Sequence, residues 1–152
     1  MLNYNSVIKN EIKQESISVK EISPVIKINL RGKKREFLTN VGKNLNMILP
    51  TEANTSTTSD KLTAIWLSPD EWMIISNELA SKDTNKSDLY EMLFNSISKT
   101  NLGAVIDVTD QFVQLELKGE NVYEIFSAGS PFNFNEFKEK KGSTTQTVLN
   151  HV

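Results

Sequence analysis

Apolar and polar residues alternate in several short segments of the chain, and this period of two predicts β-strands. The clearest alternation covers residues 25–30, where every second residue is isoleucine or leucine, and a weaker one covers residues 16–22. Residues 36–45 instead repeat apolar positions at spacings of three and four, which predicts an amphipathic helix. Residues 1–14 are polar and aperiodic, so we expect a loose polar arm before the first element.

Two pairs of strand-like segments are separated by turn residues, which predicts two β-hairpins. Residues 62–67 and 71–76 flank Ser68-Pro69-Asp70, where proline presets φ and aspartate can bond the backbone two residues on. The second predicted hairpin pairs residues 104–108 with residues 112–117. Three residues of its second strand form the predicted core face: Val113, Leu115 and Leu117.

Two further helices and a last strand complete the predicted elements. One helix begins at Ser87, a residue type that favours the N-cap position. The other covers residues 120–128, with Gly129 as its left-handed C-cap. The residues of this helix that we expect to point inward are Val122, Ile125 and Phe126. Residues 144–152 alternate weakly and predict a final strand.

The predicted order of elements is β-α-β-β-α-β-β-α-β. Strands joined as hairpins and interleaved with helices indicate an α+β fold with a mainly antiparallel sheet. The chain has 152 residues, so we expect one domain, residues 15–152, after the arm. Its 38% hydrophobic and 24% charged residues are typical of a globular protein and exclude a disordered class.

Composition also bears on location and on partners. The apolar runs are a few residues long, as in Met73-Ile74-Ile75, and a membrane-spanning helix needs about 20. The N-terminal residues lack the features of a signal peptide, so we expect a cytoplasmic protein with no membrane contact. The formal net charge is −2, with acids and bases interspersed, which predicts no nucleic-acid partner.

The sequence offers few residues for catalysis or metal binding. It contains no cysteine, which excludes disulfides, thiolate nucleophiles and zinc–thiolate sites. His151 is the sole histidine, so neither a histidine metal site nor a Ser-His-Asp triad is supported. No glycine-rich phosphate-binding motif occurs. We therefore predict no catalytic, cofactor-binding or metal-binding residues in this chain.

Two aspartates flank Val108-Thr109 at the tip of the second predicted hairpin. Asp107 stands within an apolar strand, so we expect it to be partly buried and hydrogen-bonded to backbone N–H groups. A buried carboxylate without such partners would cost several kcal/mol. We interpret Asp107 and Asp110 as structural, with a catalytic role as the alternative.

Five aromatic residues are candidates for a protein interface. Trp66 and Trp72 lie on either side of the first hairpin turn, and Phe132, Phe134 and Phe137 follow one another in an irregular segment. Tryptophan and phenylalanine are enriched at interfaces, and three Phe residues so close together are hard to bury in a small domain. We expect at least one Phe to be substantially exposed or in a crystal or oligomer contact, with core filling as the alternative.

Four segments resemble the gamma-subunit family of heterotetrameric sarcosine oxidase, and the resemblance runs from about Val25 to the end of the chain. The first is the most specific, and all four occur in the family's order. They are Trp66-Leu67-Ser68-Pro69-Asp70-Glu71-Trp72-Met73, Ile106-Asp107-Val108-Thr109-Asp110, Leu115-Glu116-Leu117-Lys118-Gly119 and Gly129-Ser130-Pro131-Phe132-Asn133-Phe134. Ser68 and Ser130 stand where the family has a glycine and a cysteine.

The same pattern is similar to the amino-terminal part of the glycine-cleavage T-protein and its folate-binding relatives, which implies a T-protein-like, folate-binding-domain-like fold. The resemblance implies a non-catalytic gamma subunit that supports oxidative demethylation of sarcosine to glycine, with one-carbon transfer to tetrahydrofolate. It implies alpha, beta and delta subunits as partners, which carry the flavin, NAD, zinc and tetrahydrofolate. It implies that this chain binds no cofactor and is inactive alone.

Other readings remain open from the sequence. The T-protein's catalytic aspartate lies beyond the last strand matched here, so no catalytic or folate-binding residue carries over. A free-standing folate-binding or one-carbon transfer domain of T-protein type is the main alternative, and a general protein-interaction domain is a third. Family members continue for another hairpin and helix, so we expect either a truncated product or a partner that completes the sheet near His151.

Overall fold

The computed structural model describes residues 5–22, 24–79, 88–138 and 140–150, with backbone alone for residues 77–79. In this part of the chain the strands are β1 (Ile12–Gln14), β2 (Ile17–Glu21), β3 (Val25–Arg31), β4 (Ser56–Thr58), β5 (Leu62–Ser68), β6 (Glu71–Leu79), β7 (Ala104–Asp107) and β8 (Leu115–Lys118). The α-helices are α1 (Arg35–Leu45), α2 (Asp88–Leu93) and α3 (Val122–Gly129).

The strands form two antiparallel sheets. The larger sheet has five strands in the order β4-β5-β6-β3-β7, and the smaller has three in the order β1-β2-β8. Neighbouring strands in both sheets run antiparallel. The α+β class and the antiparallel pairing predicted from the sequence are therefore confirmed.

The hydrophobic core lies between one face of the five-stranded sheet and helices α1 and α2. Strand β3 contributes Ile28 and Leu30, which are fully buried, because alternate residues of a strand point to one face. Helix α1 contributes Phe37, Val41 and Leu45 to the same cluster. Full burial of side chains of this size stabilises the fold by about 1.5–3 kcal/mol each. The period of two and the helical period read from the sequence thus mark the core correctly.

The first predicted hairpin is confirmed. Strands β5 and β6 pair across the turn, with Trp66 opposite Trp72. The Ser68 hydroxyl donates to Asp70 Oδ1 at 2.9 Å, which holds the turn by a side-chain bond. Ser68 is not among the residues with positive φ, so the serine fits the turn without strain.

The second predicted hairpin is wrong. Strand β7 pairs with β3 in the five-stranded sheet, whereas β8 pairs with β2 in the three-stranded sheet. A 3-10 turn at Thr109–Gln111 ends the first strand, and the chain then crosses to the other sheet. Val113 and Leu115, which we placed on a core face, are 48% and 44% exposed. Local alternation identified strand-like residues here but carried no information about which distant strand each would pair with.

The segments around α3 also differ from expectation. Gly129 is the last residue of α3 and is not in the left-handed region. An added Cβ at Gly129 would lie 2.8 Å from Asn150 Oδ1, so the end of α3 lies close to the side chain of Asn150, which is exposed. Ile125, predicted to point inward, is 47% exposed.

The two ends of the chain change the element list further. Strand β1 lies within the segment expected to be a loose arm. Residues 144–150, predicted as a strand, form none and run as irregular chain. Ser87, the predicted N-cap, and His151 lie outside the described residues. Within the described ranges, no helix is long and apolar enough to span a membrane.

Candidate functional site

A cavity of about 580 Å³ lies against the face of the five-stranded sheet that the helices leave free. Strands β3, β5 and β6 form one wall with Lys27, Ile65, Met73 and Ile75, among other residues. These side chains face away from the core because their strand neighbours point into it. The irregular segments 112–114 and 144–146, with Leu115 at the start of β8, close the other side.

Lys27 is the ionisable residue among those that line this cavity. Its residue surface is 4% exposed, and its Nζ donates to the backbone oxygen of Val25 at 3.3 Å. Burial lowers the pKa of Lys27 below its ordinary value, while the nearby charge of Asp110 acts in the opposite direction. The ammonium group has three donors, so one weak bond to a carbonyl leaves most of its bonding capacity unused.

The backbone around Lys27 is tied to the turn that follows β7. The Lys27 N–H donates to Thr109 Oγ1 at 3.1 Å, and the Lys27 carbonyl accepts from Val108 N at 2.9 Å. The backbone of Lys27 is therefore held by β3 and by the turn that follows β7.

Two polar atoms in residues that line the cavity lack a hydrogen-bond partner within the described ranges. These buried atoms are Gln114 Oε1 and Thr144 Oγ1. Their backbones are held firmly, since Ile22 N donates to the Gln114 carbonyl and Thr144 N donates to Asn54 O, both at 2.9 Å. A buried polar group without a partner costs about 1–3 kcal/mol. A hydrogen bond to either oxygen from another molecule would therefore be favourable.

The two candidate structural aspartates lie beside this region. Asp107 is exposed, so the expectation of partial burial is wrong. The expected bond to the backbone is present, because Asp107 Oδ1 accepts from Thr109 N at 2.9 Å. Asp110 is exposed on the 3-10 turn, where its charge acts on Lys27.

The three candidate interface phenylalanines form a small aromatic cluster with Phe126. The ring centroids of Phe132 and Phe134 are 5.0 Å apart, and those of Phe126 and Phe134 are 5.1 Å apart. Phe134 is buried, whereas Phe132 and Phe137 are half-buried. The segment therefore fills a local cluster and leaves part of two rings at the surface, where partner contact stays a prediction.

The two tryptophans have different environments. Trp72 is 2% exposed, and its Nε1 donates to the Pro50 carbonyl at 2.8 Å. Its ring also lies 5.8 Å from that of Phe37, centroid to centroid. The assignment of Trp72 to an interface is wrong, because the core already buries it. Trp66 is half-buried and lines the cavity.

Sequence reasoning missed Lys27, Gln114 and Thr144. A lysine between two isoleucines reads as the solvent-facing position of an alternating strand, and nothing local shows that other segments cover that face. Among the described residues, no group of three histidines or acids is placed to hold a metal ion.

Comparison with solved structures finds a chain of similar fold. No protein-family model matches the chain, and no curated protein sequence matches it. Among solved structures, one similar chain is from the heterotetrameric sarcosine oxidase of Corynebacterium sp. U-96, solved in complex with pyrrole 2-carboxylate. The TM-score is 0.76 and the sequence identity 17%, over 91% of this chain and 69% of that chain.

The class that these observations define is an α+β protein with two antiparallel sheets and helices packed on one face of the larger. More particularly, its fold is related to that of a chain in the heterotetrameric sarcosine oxidase. The fold relationship expected from the sequence motifs is thereby supported, while the subunit type and the T-protein-like order of elements stay predictions.

Proposed function

We propose that this chain is a non-catalytic gamma-type subunit of a hetero-oligomeric sarcosine oxidase. The observation that carries the proposal is the structural likeness to a chain of such an oxidase, at a TM-score of 0.76, together with the ordered sequence motifs. In this assembly the chain supports oxidative demethylation of sarcosine to glycine with one-carbon transfer to tetrahydrofolate. The alpha, beta and delta subunits supply the flavin, NAD, zinc and tetrahydrofolate sites.

The surface of the described residues supports a role in assembly. Several large apolar side chains are exposed to solvent, and three of them lie close together in the chain. Phe112, Val113 and Leu115 are 51%, 48% and 44% exposed. Ile106 is 46% exposed on β7, which is an edge strand of the five-stranded sheet. Edge strands and apolar patches of this kind are places where another chain docks.

Co-purification tests the proposal. An affinity-tagged copy of the chain expressed in its native source should co-purify with a flavoprotein, and the purified complex should oxidise sarcosine. The isolated chain should show no turnover with sarcosine. Turnover by the isolated chain without a flavoprotein, or a complex that fails to oxidise sarcosine, contradicts the proposal.

The alternative is a free-standing folate-binding domain of T-protein type, and the cavity of about 580 Å³ favours testing it. Trp66 and Phe112 are aromatic residues in its lining. The lining contains no carboxylate in the part of the chain described, although a carboxylate is the group we expect to hold a pterin. Calorimetry with a reduced folate decides, since micromolar binding by this chain alone would favour the alternative.

A further inference from the structure

We propose that the cavity over the free face of the five-stranded sheet binds a small organic acid. Its ligand has an apolar body, one carboxylate that pairs with Lys27, and one N–H or O–H donor for Gln114. This inference concerns a site in the chain itself and does not depend on membership of an oxidase complex. Three independent features of the cavity carry it: a buried cation, two polar atoms that no described residue hydrogen-bonds, and an apolar wall.

The buried cation selects a carboxylate. Lys27 is 4% exposed, and within the described ranges its Nζ bonds a single neutral acceptor, the Val25 carbonyl at 3.3 Å. A buried ammonium is strongly disfavoured unless a charge and further hydrogen bonds compensate it. Asp110 acts on Lys27 only through its longer-range charge, because no ion pair joins the two within the described residues. A ligand carboxylate in the cavity would satisfy the remaining donors of the ammonium group.

The unpartnered oxygens select a hydrogen-bond donor on the ligand. Gln114 lines the cavity, and its Oε1 is buried and accepts from no described residue, so a rotation of this side chain toward the cavity would let a ligand N–H or O–H group complete it. Thr144 Oγ1 likewise has no partner among the described residues and can donate to the same carboxylate or accept from the ligand. Because the backbones of both residues are held by neighbouring segments, the ligand would not have to order the backbone of the site.

The size and polarity of the cavity narrow the ligand class. Its volume of about 580 Å³ lies within the range of roughly 300–1,000 Å³ that small-molecule sites occupy. Ile65, Met73, Ile75 and Phe112 supply an apolar wall for an aliphatic or aromatic body. One lysine and no acid in the described lining disfavour both a polyanion such as a nucleotide and a zwitterionic amino acid. An uncharged body with a single carboxylate fits best.

Calorimetric titration of the full chain tests the site with two probes, indoleacetate and hydroxyphenylacetate, each of which carries a carboxylate and a donor. The neutral amide, indoleacetamide, keeps the shape and removes the charge. We expect saturable binding of at least one acid, weakened by about tenfold or more for the amide. Absence of saturable binding by both acids overturns the proposal and indicates that ordered water alone fills the cavity.

Two matched variants locate the binding. Lys27→Met keeps the buried stem and removes the ammonium, and we expect it to weaken the acid by about tenfold or more. Lys20→Met is the control, because Lys20 is an exposed lysine of a strand and should leave the affinity unchanged. Binding that survives Lys27→Met is adsorption elsewhere on the protein and overturns the proposal.

A further variant separates binding from folding. Thr144→Val replaces a buried hydroxyl that has no described partner with a methyl group of the same shape. It should fold at least as well as the parent chain and bind the acid more weakly. Backbone amide NMR should show ligand-induced shifts at Ile75 and Gln114, whereas shifts confined to Ile48 beside a second cavity of about 550 Å³ overturn the assignment.

Discussion

Lys27 is a residue whose position suggests solvent exposure from the sequence but which the fold buries. In the alternating segment of β3 it occupies the face opposite Ile28, where a charged residue normally meets water. In the folded protein that face is covered by the segments around Gln114 and Thr144, and the lysine is buried. Because this lysine is buried, we expect the stability of the fold to depend on pH.

The Lys27→Met variant should remove a pH dependence of stability. Burial lowers the pKa of Lys27 in the folded state below its ordinary value of 10.5, so the unfolded chain binds more protons than the folded chain between these two values. Stability of the parent should therefore rise with pH in that window. Below it the lysine is charged in both states and its burial cost is present in full.

We accordingly expect Lys27→Met to be more stable than the parent at neutral pH, with a difference that shrinks as the pH approaches the ordinary lysine pKa. Urea unfolding measured across alkaline pH checks the expectation. Lys20→Met, at an exposed position, is the control. A constant difference between Lys27→Met and the parent across the alkaline range would contradict it.

Gly129 is a second residue whose role is decided by a distant segment. Asn150 N donates to the Gly129 carbonyl at 2.8 Å, and a Cβ at Gly129 would lie 2.9 Å from Leu149 Cδ1. Both contacted side chains are exposed and can move aside, and alanine is favoured over glycine in a helix, so we expect Gly129→Ala to change stability by less than about 1 kcal/mol. Ser127→Ala, at an exposed position of the same helix, should stay within about 0.5 kcal/mol of the parent. Thermal unfolding of both variants is the measurement, and a loss above about 2 kcal/mol in Gly129→Ala would show that the side chains of Leu149 and Asn150 cannot move aside.

At the scale of elements, turns specified by adjacent residues were predicted correctly, whereas pairing between distant strands was not. The β5–β6 hairpin was predicted correctly because its turn residues are adjacent in sequence and specify the turn themselves. The predicted pairing of residues 104–108 with residues 112–117 was wrong because β7 and β8 belong to different sheets. A short hairpin turn is determined by the few residues that form it, whereas a crossover between sheets depends on residues far away in the chain.

The β5–β6 turn gives a direct test of that local chemistry. The hydrogen bond from Ser68 is the largest cause that lowers the pKa of Asp70, and the charges of Lys33 and Arg31 add to it. Because the pKa of Asp70 is lowered in the folded state, its contribution to stability is present above the ordinary aspartate pKa and is lost as the pH falls through the folded value. Ser68→Ala should raise the pKa of Asp70 toward its ordinary value.

Carboxyl NMR titration of the parent and the Ser68→Ala variant measures this shift. Lys33→Met is a useful comparison, because the Lys33 Nζ lies 3.5 Å from Asp70 Oδ2 in an exposed ion pair. We expect Lys33→Met to raise the Asp70 pKa as well, because the charge of Lys33 and its hydrogen bond both lower it. An unchanged Asp70 pKa in the serine variant would refute the role of the hydroxyl.

At the scale of the whole molecule, the stability of the fold rests on the layer between the five-stranded sheet and the helices. Phe37 is fully buried there and packs against Trp72. Its neighbours come from both the sheet and α1, so its removal weakens contacts throughout the core. The second sheet and the aromatic cluster around Phe134 have smaller apolar interiors.

Phe37→Ala should destabilise the protein by about 3–5 kcal/mol, because it removes transfer energy and leaves a cavity. Ile48→Ala is the control, since Ile48 is 82% exposed and its loss should change stability by less than about 0.5 kcal/mol. Chemical denaturation followed by tryptophan fluorescence measures both. A loss below about 1 kcal/mol for Phe37→Ala would show that the core depends little on this ring.

The sequence by itself determined the α+β class, the core face of β3, helix α1 and the β5–β6 hairpin, because each depends on periodicity or turn chemistry within about ten residues. The tertiary structure alone decided that β7 pairs with β3 and β8 with β2, that Lys27 is buried, and that Gly129 lies against Asn150. These features depend on contacts between residues far apart in the chain. Residue types such as lysine and glycine occur in several structural environments, so their presence in a single sequence does not identify such contacts.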